Sequence, residues 1–191
     1  MKKVLSLAFI MLFSVSIFAQ KVLVSDPAHS RIQFSVIHLT INDIVGNFDK
    51  ANLNINADEK NFLNSKLNFE VDVNSINTHI EARDNHLRSA DFFDVAKYPT
   101  MTFTSTSITK GKQKNYYNVN GNLTMHGITK PVSVVLVYRG SVVNQMNKKE
   151  THGYQVLATI KRSDFGVGPN FPEAIISDQV RIKGDFELTE K

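Results

Sequence analysis

The sequence predicts an all-β fold, an eight-stranded antiparallel up-and-down barrel interrupted by a short helical insert at about residues 78–90. Three observations carry this. Apolar residues recur with period two through most of the chain from Val22 onward, turn-forming residues separate the alternating runs, and only the stretch from Ile76 to Phe103 breaks the alternation. Eight antiparallel strands close naturally into a barrel, which leaves no exposed edge. A two-sheet sandwich satisfies the same alternation and competes with it.

Ile32, Phe34, Val36 and His38 form the inward side of a first strand. Ile44 to Ile55 forms a second, whose apolar parity changes between Phe48 and Ala51, so a bulge is expected at Asp49-Lys50. Leu67, Phe69, Val71 and Val73 give the most regular strand. In the insert, Ile80, Asp84 and Leu87 recur at helical spacing with Arg83 beside them. Tyr98-Pro99 should end it, because a residue preceding proline avoids the helical region. Met101 and Phe103 start the fourth strand, and a turn at Lys110-Gly111-Lys112 leads to the fifth through Tyr117, Val119, Gly121 and Leu123. His126-Gly127 is a hairpin signal before the sixth strand at Val132, Val134, Leu136 and Tyr138. Tyr154 to Ile160 and Val180 to Leu188 supply the last two, separated by a loop with two glycines and two prolines, SDFGVGPNFPEA.

Residues 1–19 read as a signal peptide: Lys2 and Lys3, an apolar run from Val4 to Phe18, and a small residue at Ala19. Residues 20–191 then form a single domain that is periplasmic or secreted, and Gln20 in place of a cysteine disfavours a lipid anchor. No other stretch is apolar enough for stable membrane insertion. Removing the two lysines lowers the formal charge from +4 to a value too small to argue for nucleic acid. With no cysteine, thiol chemistry and cysteine metal sites are excluded.

An eight-stranded barrel is at the size where side chains either fill the interior or leave room for one ligand. Gly121, Ala158 and Gly184 sit on apolar faces and would leave space along the axis, unless the glycines only let the strands bend. A long apolar chain suits such a space, since each buried methylene gains about 0.8 kcal/mol and ten would give roughly 8 kcal/mol before ordering costs.

Five blocks in order resemble the YceI-like family of bacterial periplasmic proteins: DPAHSRIQFSVIHL at 26–39, VGNFDK at 45–50, RDNHLRSADFFD at 83–94 with YPTMTFTS at 98–105, NGNLTMHGITKPV at 120–132, and KRSDFG at 161–166. The resemblance implies a lipocalin-like barrel, a periplasmic location and an isoprenoid-type chain held in the cavity. The expected function is transport, storage or sequestration of such a chain or of another long, fatty-acid-like one.

Such a ligand sets the expected binding residues. Phe34, Val36, Phe69 and Phe103 would line the cavity with Tyr117, Tyr154 and Phe186, and Phe92 and Phe93 would stand at its entrance. His38, Leu87, Met101 and Phe165 belong to the same set. A buried arginine needs a partner, so Arg83 is expected to pair with Asp91, Asp94 or Asp164, or else to meet a ligand phosphate together with Arg88 and Arg162.

No catalytic residue, metal site or cofactor is expected. The six histidines show no zinc-ligand spacing, and His79 and His86 stand about two helical turns apart. Asp164-Phe165-Gly166 lacks the other parts of a kinase site, and there is no G-x-S-x-G elbow. Two alternatives differ in kind. An isomerase or hydrolase acting on a lipid or quinone in the cavity predicts turnover that depends on His38. A stress or interaction protein with a filled barrel would use the outward Val135 and Val137 to bind a partner or form a homodimer.

Overall fold

The computed structural model describes residues 21–191, and the signal-peptide reading of residues 1–19 lies outside them. The strands are β1 (Lys21–Ser25), β2 (Arg31–His38), β3 (Asn42–Phe48), β4 (Ala51–Ala57), β5 (Lys66–Asp72), β6 (Ile76–Asn77), β7 (Thr100–Lys110), β8 (Tyr116–Met125), β9 (Ile128–Val143), β10 (Glu150–Lys161) and β11 (Gln179–Glu190). The helix α1 (Glu81–Arg88) lies between β6 and β7.

Eight strands, in the order β1-β4-β5-β7-β8-β9-β10-β11, form a ring closed by pairing of β1 with β11. The other three continue the first strands beyond breaks. β2 comes after β1 and a 3-10 turn at Pro27–His29, and pairs with the other end of β11. β3 runs into β4 across Asp49-Lys50, where the parity change was expected, and β6 extends β5 to pair with β3. Every strand pairing is antiparallel.

One strand escapes the periodicity reading. β1 lies ahead of the expected start at Ile32 and is cut off from β2 by Pro27, yet it completes the ring through Leu23↔Glu190, Val24↔Thr189 and Ser25↔Leu188. β9 is longer than expected, and its first half pairs with β8 but not with β10, whose ladder stops at Leu157↔Val135. Pro131 therefore sits in a strand segment with one free side, the place where a missing N–H costs no ladder bond.

The barrel interior is divided along its length. At the end where β1 closes on β11, it is packed solid around Leu23, Ile55, Leu67, Val119 and Leu188. Phe62 adds a cap there, with ring centroids 4.8 Å from Tyr117 and 6.3 Å from Tyr154, and Tyr138 lies 5.1 Å from Tyr154. At the other end, β2, β3, α1 and the loops around residues 89–99 and 166–178 enclose a cavity. The filled and hollow barrels weighed from sequence thus occupy opposite halves of one molecule.

Two sequence expectations are corrected. The glycines do not open space: a Cβ at Gly121 would lie 2.4 Å from the Phe103 ring, and one at Gly184 would lie 2.5 Å from the Phe186 ring. Each glycine lets a neighbouring aromatic ring lie flat on the sheet, so the ring takes the room. Ala158 is cross-strand from Ile182 and contributes nothing to the cavity lining. The outward apolar pair is also reduced, because Val137 is buried between its cross-strand neighbours Tyr116 and Gln155.

Candidate functional site

The cavity has a volume of about 460 Å³. Its strand-borne wall comes from inward positions on β2, β3, β5, β7, β8, β10 and β11, including Phe34, Val36, Phe69, Met101 and Leu123. Alternation puts these side chains inside, and the breaks that end β1, β4 and β5 leave this half without the filled end's packing.

The second wall is α1 together with the segment that leads on to β7. Ile80 caps the helix without a side-chain bond, and the work of fixing the helix start falls to a cluster around Thr78. Asp84 accepts from the Thr78 backbone N–H at 2.9 Å and from its hydroxyl at 2.5 Å. Arg83 donates Nε to Thr78 Oγ1 at 2.7 Å and Nη2 to the Thr78 carbonyl at 2.8 Å. A buried carboxylate and a half-buried cation thus share one threonine, which satisfies Asp84 and two of the three nitrogens of Arg83. Arg88 ties the helix end down by donating to the carbonyls of Asn74 and Ile76 at 3.0 and 2.7 Å.

These contacts replace the expected ion pair. Asp91 meets His86, Asp94 meets Lys97, and Asp164 meets Lys130, so none of the three carboxylates reaches Arg83. Ile80, expected on the apolar face, points to solvent, because the helix packs through Asp84 and Leu87 instead.

The third wall is the loop after β10, held by Arg162, which is 8% exposed. Its Nε donates to Ser177 O, its Nη1 to Val167 O and Gly168 O, and its Nη2 to Phe171 O and Ile176 O. A guanidinium has five N–H donors, and all five meet backbone carbonyls here. Arg162 faces the cavity but has no donor left for a ligand phosphate, and Arg88 lies outside the lining; both expectations are corrected. Of the three arginines, Arg83 alone lines the cavity with Nη1 uncommitted among the described residues.

Phe92 stacks on Phe171 at 4.7 Å, joining the helix segment to this loop, and His86 meets both rings edge-on. Phe93 lies edge-on to Phe48 at 5.9 Å. Phe92, Phe93, Leu87 and His38 line the cavity, with His38 at the end of β2, bridged to Ile176.

Five expected ligand contacts lie elsewhere. Phe103 covers Gly121, Tyr117 and Tyr154 belong to the filled end, and Phe186 sits beneath Phe69 with ring centroids 5.6 Å apart. Phe165 is fully buried at the base of the loop, and its carbonyl takes a hydrogen bond from His126 Nδ1 at 3.1 Å. Conversely, Phe171, Ile175 and Ile176 line the cavity from a loop, where no periodicity singled them out. Met125, Ile160 and Ile182 share the parity of residues that were picked out and were legible on that ground.

Among the described residues, no group of three or more His, Cys, Asp or Glu side chains is placed to hold a metal ion, and no helix is long and apolar enough to cross a membrane.

The YceI-like domain family matches residues 23–188. UPF0312 protein SA2479 of Staphylococcus aureus is 34% identical over 163 residues, which is 85% of this chain and 91% of that protein. Among solved structures, a Campylobacter jejuni YCEI protein is 32% identical with a TM-score of 0.72, over 81% of this chain and 90% of that one. Burkholderia cenocepacia BcnA is 26% identical with a TM-score of 0.75, over 87% and 99% of the two chains. A polyisoprenoid binding domain from Saccharophagus degradans shares the fold, with a TM-score of 0.67 at 18% identity over 91% and 100%.

Proposed function

Since the chain belongs to the YceI-like family, we propose that it is a lipid-binding barrel that carries or sequesters one isoprenoid or other long-chain lipid tail. The observation that carries this reading is the apolar cavity of about 460 Å³, within the roughly 300–1,000 Å³ range of small-ligand sites. If each chain carbon takes about the 30 Å³ of a water molecule, the space suits on the order of fifteen carbons. Val36, Phe69, Phe93 and Met101 supply the apolar contact, and the name of the Saccharophagus domain, which shares this fold, supports a polyisoprenoid as the class of chain.

The role is binding rather than catalysis in this proposal. Most polar groups beside the chain are tied up structurally, Asp84 and two nitrogens of Arg83 on Thr78, His86 on Asp91 and Arg162 on five carbonyls. Among the described residues, His38 at the mouth has no carboxylate or hydroxyl partner that would make it a catalytic base. Arg83 Nη1 is the donor available for a head group with an acceptor oxygen. Export to the periplasm or beyond is part of the proposal and rests on the leader pattern of residues 1–19. Organic extraction of the purified protein followed by mass spectrometry tests the reading. A stoichiometric apolar chain is expected, and a reproducibly empty extract that also takes up no added chain would overturn it.

A further inference from the structure

Apolar side chains collect outside the cavity as well as inside it. The β2–β3 hairpin turns at Leu39-Thr40 and presents Leu39 at 50% exposure and Ile41 at 85%. The Leu39 N–H donates to the Ile175 carbonyl at 2.9 Å, and Ile175 is exposed beside it. His38 and Ile176, one residue inward from this pair, are bridged to each other and line the cavity. The patch therefore stands at the cavity mouth.

The turn is held in an unfavourable way. Leu39 and Thr40 have φ of 50° and 64°, and Ile41 N–H closes the turn on His38 O at 3.2 Å. This is the mirror-image hairpin turn that Asn-Gly satisfies without strain, whereas a leucine in the left-handed region is strained. A leucine kept there, pointing to water, serves neither the turn nor the core.

The surroundings narrow what could cover it. The exposed charged residues nearby in the chain are Asp43 after the turn and Glu173 in the loop. Arg181 reaches this region from β11, but it is paired with Asp43 and also donates to Ser35, so the pair brings no net positive charge to the tip. A polyanion or an acidic membrane surface has little to attract it. Even with Ile37 and Val45, which are exposed on the same hairpin, these apolar side chains number five, against the roughly 20–30 residues a side of a stable protein interface. A bilayer surface accepts a small apolar tip without needing a matching partner.

We propose that Leu39, Ile41 and Ile175 form a hydrophobic tip by which the protein sits on a neutral lipid bilayer with its cavity mouth facing the membrane. This rests on the lipid-binding reading, since the tip serves to pass a chain between membrane and cavity.

Sedimentation with neutral phosphatidylcholine vesicles tests it. Wild-type protein is expected to bind them, equally at low and at about 0.5 M salt, where charge attraction is screened. Leu39→Asn/Ile41→Thr is expected to weaken binding roughly tenfold or more, as loss of two exposed aliphatic side chains implies. Asparagine suits the left-handed turn, so this variant should melt no lower than wild type. Val142→Thr/Met146→Gln removes exposed apolar residues from the β9–β10 hairpin at the filled end and should leave binding unchanged. Equal binding by the first variant, equal loss in the second, or binding only to anionic vesicles at low salt would overturn the proposal. So would a wild-type dimer that the first variant dissociates.

Uptake of the fluorescent fatty acid cis-parinaric acid from solution, without vesicles, reads the cavity separately. It should be unchanged in both variants. Vesicle binding without probe uptake would overturn the cavity reading and leave the tip standing.

Discussion

The ring of Phe34 lies directly over Gly46, its cross-strand partner, so that a Cβ on the glycine would sit 2.4 Å from Phe34 Cζ and 2.8 Å from Thr78 Cγ2. Phe34 also lines the cavity, which makes Gly46 a hidden control on its size. Gly46→Ala must push the ring inward. The expected result is a loss of about 1–3 kcal/mol of stability from overpacking and a shift of ligand preference toward shorter chains. Binding of a chain-length series of fatty acids reads this, and an unchanged length profile would contradict it.

Arg162→Lys should be far from conservative. Lysine offers three donors from a point, against five in a fixed fork, so several loop carbonyls lose their partner inside the protein. A loss of about 3 kcal/mol or more is expected, which for a chain of this size lowers Tm by roughly 6–12 °C. Limited proteolysis should cut near residues 166–178 in the variant and spare them in wild type.

The two halves of the barrel should respond differently to the same truncation. Tyr154 is buried at the filled end, where burial pushes its phenol pKa up, so Tyr154→Ala should cost about 3–5 kcal/mol and leave ligand preference alone. Phe93 is only half buried and lines the cavity, so Phe93→Ala should cost about 1–2 kcal/mol and favour longer or bulkier chains. Thermal unfolding and ligand extraction on both variants separate the effects.

His152 should make the fold acid-sensitive. Burial lowers its pKa from the ordinary 6.5, with Glu150 opposing and Lys21 assisting, and its Nε2 finds no hydrogen bond among the described residues. Below pH 6.5 the unfolded chain binds a proton that the folded chain resists, so stability falls as pH drops through that window. His29, raised by its hydrogen bond to Asp26, works in the opposite sense but is exposed at the surface. Comparing the Tm of wild type and His152→Gln between about pH 7.5 and 5, the range that spans an ordinary histidine, cancels that contribution. The wild-type curve should fall more steeply, and parallel curves would refute the assignment.

The strands and the helix are legible in the sequence because burial on one face imposes a period of two, and α1 is where that period stops. Parity says whether a side chain points inward, but it does not give height along the barrel axis. Phe69 and Tyr154 both read as inward; one meets the cavity and the other the packed end. Local sequence also hides how a ring lies, so Gly121 and Gly184 look like open space until Phe103 and Phe186 are seen resting on them. Arg162 is the least readable. Its partners are backbone carbonyls in a loop whose shape exists only once the arginine is in place.

The seam between β1 and β11 bears on how the chain folds. Val24 pairs with Thr189, so closing the ring joins the first strand of the barrel to the last. Sheets that depend on such distant pairings fold slowly, in milliseconds to seconds, because chain entropy is lost before the contacts form. A chain that still lacks β11 leaves β1, β2 and β10 each without the neighbour that joins them, and no earlier hairpin can close the barrel. The circle is completed only when β11 enters.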